Sequence, residues 1–301
     1  MWEKVIFICL FREICYNNRE ILPGGCIVFT RVYVEITNIC NMRCSFCHGH
    51  SRPKGRMSRD AFSLVLDRLE GHTQTVYYHL MGEPLLHPEL PEFMEMARQR
   101  GFKSILTTNG TLLKKRQAEL LRAHPHKISV SLHSFEEGTP EDHRRYLADV
   151  ASFAAEAAEA GIIMVFRLWN RGGDEGKNDE TLSMLRQMLP GEWSETNRGL
   201  KMRHKLFLEW GDRFQWPDRE AEDGGSAVYC YGLKDHFGIL CDGTVVPCCL
   251  DSDGVITLGN IFRETVPEIL AKERTQAMIE GFRNRNTPED LCRRCGFARK
   301  F

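Results

Sequence analysis

Residues 31–47 read RVYVEITNICNMRCSFC, a strand-like stretch running straight into three thiols, Cys40, Cys44 and Cys47. Three cysteines spaced C-x3-C-x2-C on one tight loop can face a single point. A structural zinc ion takes four protein ligands. A three-cysteine loop therefore leaves one coordination position open, and a [4Fe–4S] cluster held this way has one iron free to bind something else. Zinc with His48 or His50 as its fourth ligand is the competing reading, and unligated cysteines are a third.

Outward from this loop, strand and helix patterns alternate. Residues 31–36 read as a strand, and 58–71 as a helix with Ser58 as N-cap and Gly71 as stop. Strands are expected at 75–81, 103–107, 127–132, 162–169 and 205–210. Helices are expected at 89–100, 111–123, 141–160 and 178–190. The strands are mostly apolar and not strictly alternating, which predicts cover on at least one face, and a parallel sheet built of βα units. Six units are too few to close an eight-stranded barrel. A partial barrel or a doubly wound sheet remains, and in either the active face lies at the C-terminal ends of the strands.

Composition narrows the class. The 301 residues carry a formal net charge of −1, which gives no general attraction for nucleic acid. The basic run SRPKGR at 51–56 reads as a solvated loop. The apolar run at residues 5–11 falls far short of the roughly 20 residues of a membrane span and reads as a buried or edge strand, so no stable membrane insertion is expected. Nine of the 12 cysteines fall into two clusters with 182 residues between them, a distribution that suits metal sites better than a disulfide framework. A reducing cytoplasmic setting is expected. Cys9, Cys15 and Cys26 read as buried thiols.

With Phe46 just before its last cysteine, the first cluster resembles the signature of the radical S-adenosylmethionine (SAM) enzymes. The resemblance covers roughly residues 31–212. It implies that SAM chelates the free iron, that one electron splits the sulfonium, and that a 5′-deoxyadenosyl radical removes a hydrogen atom from a substrate. It also implies cofactor contacts. Met81-Gly82-Glu83-Pro84 stands where the family has GGEP, with the first glycine replaced, and Glu83 would receive the cofactor ammonium. Asn109, in the run Thr107-Thr108-Asn109-Gly110, would line the pocket, and Ser131 would bind ribose. Arg145, with Arg144 as competitor, would meet the cofactor carboxylate; Asn170 is a further ribose candidate, and Phe46 would shield the cluster near adenine. Tyr77, Tyr78, Trp169 and Trp210 either shape a substrate pocket or pack in the core.

The second cluster runs Cys230, Cys241, Cys248, Cys249, Cys292 and Cys295. Asp242-Gly243 between GIL and TVVP predicts a hairpin that delivers Cys248. Four thiolates can close a [4Fe–4S] centre or hold a zinc ion. The layout resembles the twitch form of the SPASM extension, which implies an auxiliary [4Fe–4S] cluster on Cys230, Cys248, Cys292 and Cys295. Cys241 or Cys249 can replace one of these. Residues 213–229 read as a linker. The expected fold is α/β: a 1–30 extension, a 31–222 partial (β/α)6 TIM-like barrel and a small 223–301 α+β auxiliary-cluster domain.

The function so implied is hydrogen abstraction followed by oxidation of a small metabolite or peptide side chain, the auxiliary cluster accepting an electron from the substrate radical. Glu209 and Asp212, at the end of the last barrel strand, are the candidate bases. Crosslinking or epimerisation of a peptide is the alternative outcome. A non-catalytic iron–sulfur or zinc protein and a radical enzyme acting on RNA are the other classes weighed. The expected partners are a small-molecule or peptide substrate and a flavodoxin- or ferredoxin-type reductant, with no nucleic acid.

Overall fold

The computed structural model describes residues 29–300. Cys9, Cys15, Cys26 and the apolar run at 5–11 lie outside these residues.

Six parallel strands form the frame: β1 (Arg31–Val34), β2 (Thr75–Tyr77), β3 (Lys103–Thr108), β4 (Lys127–Ser131), β5 (Ile163–Arg171) and β8 (Leu206–Asp212). Their order in the sheet follows their order in the chain. The crossover helices are α1 (Arg59–Leu69), α2 (Leu90–Gln99), α3 (Gln117–Ala123), α4 (Pro140–Glu159) and α5 (Asn178–Met188). Ser58 caps α1 by accepting from the Ala61 amide, as its position before an amphipathic run requires. Thr139 and Asp142 form a reciprocal capping box at the start of α4.

Strand parity divides the side chains. Val32, Val34, Val76, Tyr78, Leu106, Ile128, Val130, Phe166 and Leu208 are buried in one core with Phe62 and Phe93 of the helices. Tyr78 is therefore a core residue, its hydroxyl bonded to the Phe93 carbonyl oxygen and to Ser104. The alternate positions, among them Arg31, Tyr33, Tyr77, Lys127, Ser129, Arg167 and Glu209, face the concave interior.

The sequence reading did not anticipate two features of the sheet. A hairpin, β6 (Ser194–Thr196) and β7 (Gly199–Arg203), extends it antiparallel beyond β8. At the other end, β9 (His236–Ile239) pairs parallel with β1, and β10 (Thr244–Val246) and β11 (Gly259–Asn260) continue from it. The Asp242-Gly243 hairpin is thus present, but its first strand completes the barrel sheet rather than standing apart from it. Three helices follow: α6 (Val266–Leu270), α7 (Glu273–Arg283) and α8 (Asp290–Arg293).

The two halves are tied by a buried ion pair. Glu35 is 0% exposed and accepts both terminal nitrogens of Arg52, at 2.8 and 2.7 Å, together with the amides of Met81 and Cys241, each at 3.2 Å. Arg52 Nε donates to the Ser252 carbonyl at 2.7 Å, and Ser51 donates to Asp253. Arg52 of the SRPKGR loop is therefore turned into the interior, while Ser51, Pro53, Lys54 and Arg56 stay exposed as a solvated loop would be. A charge pattern does not disclose that a carboxylate waits inside. Residues 213–229 are likewise no free linker: Trp216 Nε1 donates to the Phe46 carbonyl at 2.9 Å, and the Gly296 amide donates to the Gln215 carbonyl at 3.1 Å.

Candidate active site

The loops that follow β1 to β5 meet at the C-terminal mouth of the barrel. The Cys40–Cys47 loop leaves β1 and is pinned from two sides. Glu136 accepts from the Ser45 amide and hydroxyl, both at 2.6 Å, and the Cys44 thiol donates to the Ser134 carbonyl at 3.6 Å. Asn41 donates to the Thr111 hydroxyl at 2.9 Å. Burial pushes the Cys44 thiol up to about 12, the neighbouring Cys47 and Glu136 adding to the shift, and burial also raises Cys40. Thiols held this way surrender protons when a metal centre binds, since the ligand is the thiolate.

Gly82 passes directly under this loop. Its φ is +78°, and a Cβ there would lie 2.4 Å from the Thr37 carbonyl oxygen. This is why glycine is needed at the second position of the segment. Met81 is spared that contact, and its amide simply donates to Glu35, so the departure from two glycines leaves the backbone path intact.

Glu83 is 1% exposed and accepts from the Leu85 amide at 2.9 Å, the Thr108 hydroxyl at 2.8 Å and the Asn109 amide at 2.7 Å. A carboxylate offers about four acceptor positions, so one remains. Burial raises its pKa to about 7 against those three bonds. Asn109 also donates to Asn41 at 3.0 Å, and Tyr146 donates to the Asn109 carbonyl at 2.8 Å. Glu83, Asn109 and the cysteine loop thus form one connected network.

A cleft opens between the cysteine loop and the ends of β4 and β5, lined by Phe46, His133, Glu136, Trp169, Asn170 and others. The Phe46 and His133 rings lie 4.7 Å apart. Ser131 closes β4 beside this cleft, and its carbonyl accepts from Ser134 at 2.6 Å. Asn170 is bonded to Asn178 and Asp174 at the rim. Trp169 is 39% exposed and stacks 4.4 Å from the Arg167 guanidinium. Trp210 pairs in the same manner with Arg171 at 5.0 Å.

Two expected site residues are not brought here. Arg145 is 75% exposed on the outer face of α4, ion-paired with Asp142. Helical periodicity turns His143, Tyr146 and Leu147 inward instead, and Arg144 is also exposed. Asp212 is 71% exposed with Lys300 at 3.9 Å, because it shares the parity of Leu206 and Leu208. Glu209 has the opposite parity and faces the interior, within electrostatic reach of Arg167 and Lys127. Sequence reasoning missed Glu136, His133, Arg167 and Trp216. For Arg167 the signal was available: a cation at the inward parity of an otherwise apolar strand.

The second group of thiols lines a pocket of its own. Cys230, Cys248, Cys292 and Cys295 surround it with Val228, Ile256, Phe282 and Leu291. Burial pushes Cys230 up to about 11 and raises Cys248, Cys292 and Cys295. Gly232 borders the pocket: a Cβ there would meet the Pro247 carbonyl at 3.0 Å and Cys230 Sγ at 3.4 Å. An apolar chamber walled by four thiols, with glycine making room, suits a sulfur-ligated inorganic centre. Among the described residues, no three His, Cys, Asp or Glu side chains converge closely enough to grip one metal ion. Cys249 turns away from this pocket and packs with Tyr33, Leu80, Leu240 and Val246. Cys241 lies beside Arg52, at 4.0 Å.

The model of the radical SAM superfamily matches residues 34–186, and that of an iron–sulfur cluster-binding domain, SPASM, matches 230–296. The chain belongs to the radical SAM superfamily, carries a C-terminal SPASM-type domain and is an enzyme. These domains imply bound SAM and iron–sulfur cofactor. A tungsten-containing aldehyde ferredoxin oxidoreductase cofactor-modifying protein of Pyrococcus furiosus is 36% identical over 86 residues, which cover 27% of this chain and 24% of that protein. The antilisterial bacteriocin subtilosin biosynthesis protein AlbA of Bacillus subtilis is 30% identical over 122 residues, 40% of this chain and 27% of that protein. The chain spans between about 24% and 39% of the length of such relatives.

Among solved structures, SuiB of Streptococcus suis bound to S-adenosylmethionine aligns with a TM-score of 0.60 at 16% identity, over 89% of this chain and 72% of that one. BtrN in complex with AdoMet and 2-DOIA aligns with a TM-score of 0.56 at 17% identity, over 89% of this chain and 93% of that one. At such identities the likeness establishes the fold. No helix among the described residues is long and apolar enough to cross a membrane.

Proposed function

We propose that this chain is a radical SAM peptide-modifying enzyme that crosslinks or epimerises a residue of its substrate. The observation that carries the reading is an open groove between the cysteine loop and the strap at residues 213–218, with about 1010 Å³ of empty space. Ser45, His48, Gly172, Phe214, Gln215 and Trp216 are among its walls. An open groove walled by aromatic, amide and hydroxyl side chains suits an extended chain better than a small metabolite enclosed on all sides. AlbA is described as a bacteriocin biosynthesis protein, and SuiB was also solved bound to precursor peptide SuiA. Oxidation of a small metabolite or side chain is the second reading; the small-molecule part of it is favoured by the mutual coverage with BtrN, which was solved with 2-DOIA bound.

In this reading Cys40, Cys44 and Cys47 hold a [4Fe–4S] cluster with one open iron, and Cys230, Cys248, Cys292 and Cys295 hold an auxiliary one. When bound, the first cluster and SAM supply a 5′-deoxyadenosyl radical, given an electron from a flavodoxin- or ferredoxin-type reductant. The chain's own residues position and exclude. Glu136 and Ser134 fix the cysteine loop. Gly82 lets the next loop cross beneath it, and the spare acceptor position of Glu83 meets an ammonium. Asn109 lines the cofactor pocket, Ser131 and Asn170 offer polar groups to the ribose, and Phe46 covers the apolar side of the pocket. Glu209, inward and beside two cations, is the group available to take a proton from a substrate radical.

The test uses anaerobically reconstituted enzyme, SAM, reductant and a panel of short synthetic peptides, with small metabolites run in parallel. A cognate peptide should stimulate 5′-deoxyadenosine formation. It should lose two hydrogens if crosslinked, or take up solvent deuterium without other mass change if epimerised. Stimulation by small metabolites alone would overturn the peptide reading and leave the radical class standing.

A further inference from the structure

Among the described residues, the barrel interior holds more cations than carboxylates. Arg31 begins β1, Lys127 begins β4 and Arg167 lies midway along β5, all at the inward parity. The acidic side chain that faces them is Glu209, opposite Arg167 in the β5–β8 register. Among the described residues, no carboxylate forms an ion pair with Arg31, Lys127 or Arg167. The Arg167 guanidinium lies deep in the protein, with part of its side chain still accessible. Its one side-chain hydrogen bond among the described residues is a long 3.5 Å contact to Thr107. The Nε atoms of Arg31 and Arg167, Nδ1 of His79 and Oγ of Ser129 are buried without any hydrogen-bond partner.

Buried charges in proteins are normally paired, and buried donors normally satisfied. This chain obeys the rule at Glu35 and Arg52, where both partners of an interior pair are present. In the barrel, among the described residues, three cations share one facing carboxylate, Glu209, and none of them is ion-paired. Burial lowers the pKa of Lys127 against Glu209, with Arg167, Arg198 and Arg31 adding to the shift, and burial lowers that of Arg167 against Glu209; that of Arg31 is raised, its burial being outweighed by Tyr33 and Tyr77.

We propose that the barrel interior binds a carboxylate of the substrate, received by the Arg167 guanidinium with Arg31 and Lys127 completing the cationic wall. The inference rests on the peptide reading, which makes the group either an acidic side chain or the C-terminal carboxylate. Guanidinium suits this role because its planar fork matches a carboxylate with two parallel bonds. Arg31 and Lys127 stand at the strand starts, the end of the barrel away from the cysteine loop. An anion drawn toward all three enters deeper than one bound at the loop itself.

The test uses fluorine NMR with trifluoroacetate as the probe and neutral trifluoroacetamide as its control, on reconstituted, SAM-loaded enzyme. Trifluoroacetate should bind and trifluoroacetamide should not, and Arg167→Gln should weaken the probe by about tenfold or more. If that variant does not fold, Arg31→Gln on another strand carries the same test. Equal binding by wild type and the folded variant overturns the proposal. So does loss of probe binding when SAM is added, because the cations would then serve the cofactor's own carboxylate. The probe needs no peptide. Probe binding without turnover of any peptide therefore keeps the carboxylate site and fails the peptide reading, and peptide turnover without probe binding does the reverse. With a cognate peptide in hand, amidating its C terminus or replacing its acidic residues by their amides decides between the two sources.

Discussion

Replacing Arg52 by Met tests the tie between the cysteine loop and the C-terminal domain. Arg52 is 11% exposed and its partner Glu35 is 0% exposed, so solvent screens the pair little. The substitution removes two charge-assisted bonds to Glu35 and the Nε bond to Ser252. It keeps most of the side-chain volume. Glu35 would keep only the amides of Met81 and Cys241, and its charge would lie buried without a counterion. Removing one partner of a buried pair costs about 3–5 kcal/mol, a large share of the roughly 5–15 kcal/mol that holds a typical domain. Urea unfolding of the metal-free protein measures the loss. Hydrogen exchange should show where it falls, with faster exchange at the Met81 and Cys241 amides. Arg98→Met, which removes a pair with Glu95 on the solvent face of α2, is the control and should change little. A loss for Arg52→Met within about 0.5 kcal/mol, the range of ordinary surface substitutions, would refute the reasoning.

Cys44→Ala should abolish 5′-deoxyadenosine formation and retain auxiliary iron, whereas Cys295→Ala should lower iron content and turnover and spare the first cluster; iron analysis and electron paramagnetic resonance read both. Cys248→Ser should lower auxiliary iron, and Cys249→Ser should not, because Cys249 packs against Tyr33 and Leu80 outside the four-thiol pocket. Gly82→Ala should cost about 1–3 kcal/mol in the unfolding assay, since it forces a left-handed backbone and a 2.4 Å contact with Thr37. SAM should bind more tightly as pH rises through about 7, because burial keeps Glu83 protonated below that value and an ammonium needs the ionised carboxylate; equilibrium binding on either side of neutrality checks the sign, and a flat profile in this range would exclude Glu83 as its receptor.

The βα rhythm, the cysteine spacings and the two glycine-bearing turns after β2 and β3 were legible in the chain because each is a local pattern. Periodicity, capping and positive φ are decided within a few residues, as at Ser58, Gly82 and Gly110. The placement of Arg145 and Asp212 was not legible at the same resolution. Each sits one position from a residue that turns inward, and a one-residue difference in helix or strand phase separates a pocket from the solvent face.

The sequence by itself determined the chemistry available: three thiols after a first strand, four more beside a hairpin and a helix end, and six apolar strands to carry them. Tertiary structure alone decided which groups meet. It matched Glu35 with Arg52, folded the 213–218 strap over the cysteine loop and gathered Arg31, Lys127 and Arg167 in one interior. The reason is that electrostatic partnership and burial depend on distance through space, and residues as far apart in the chain as Glu35 and Cys241 acquire that distance only when β9 docks on β1.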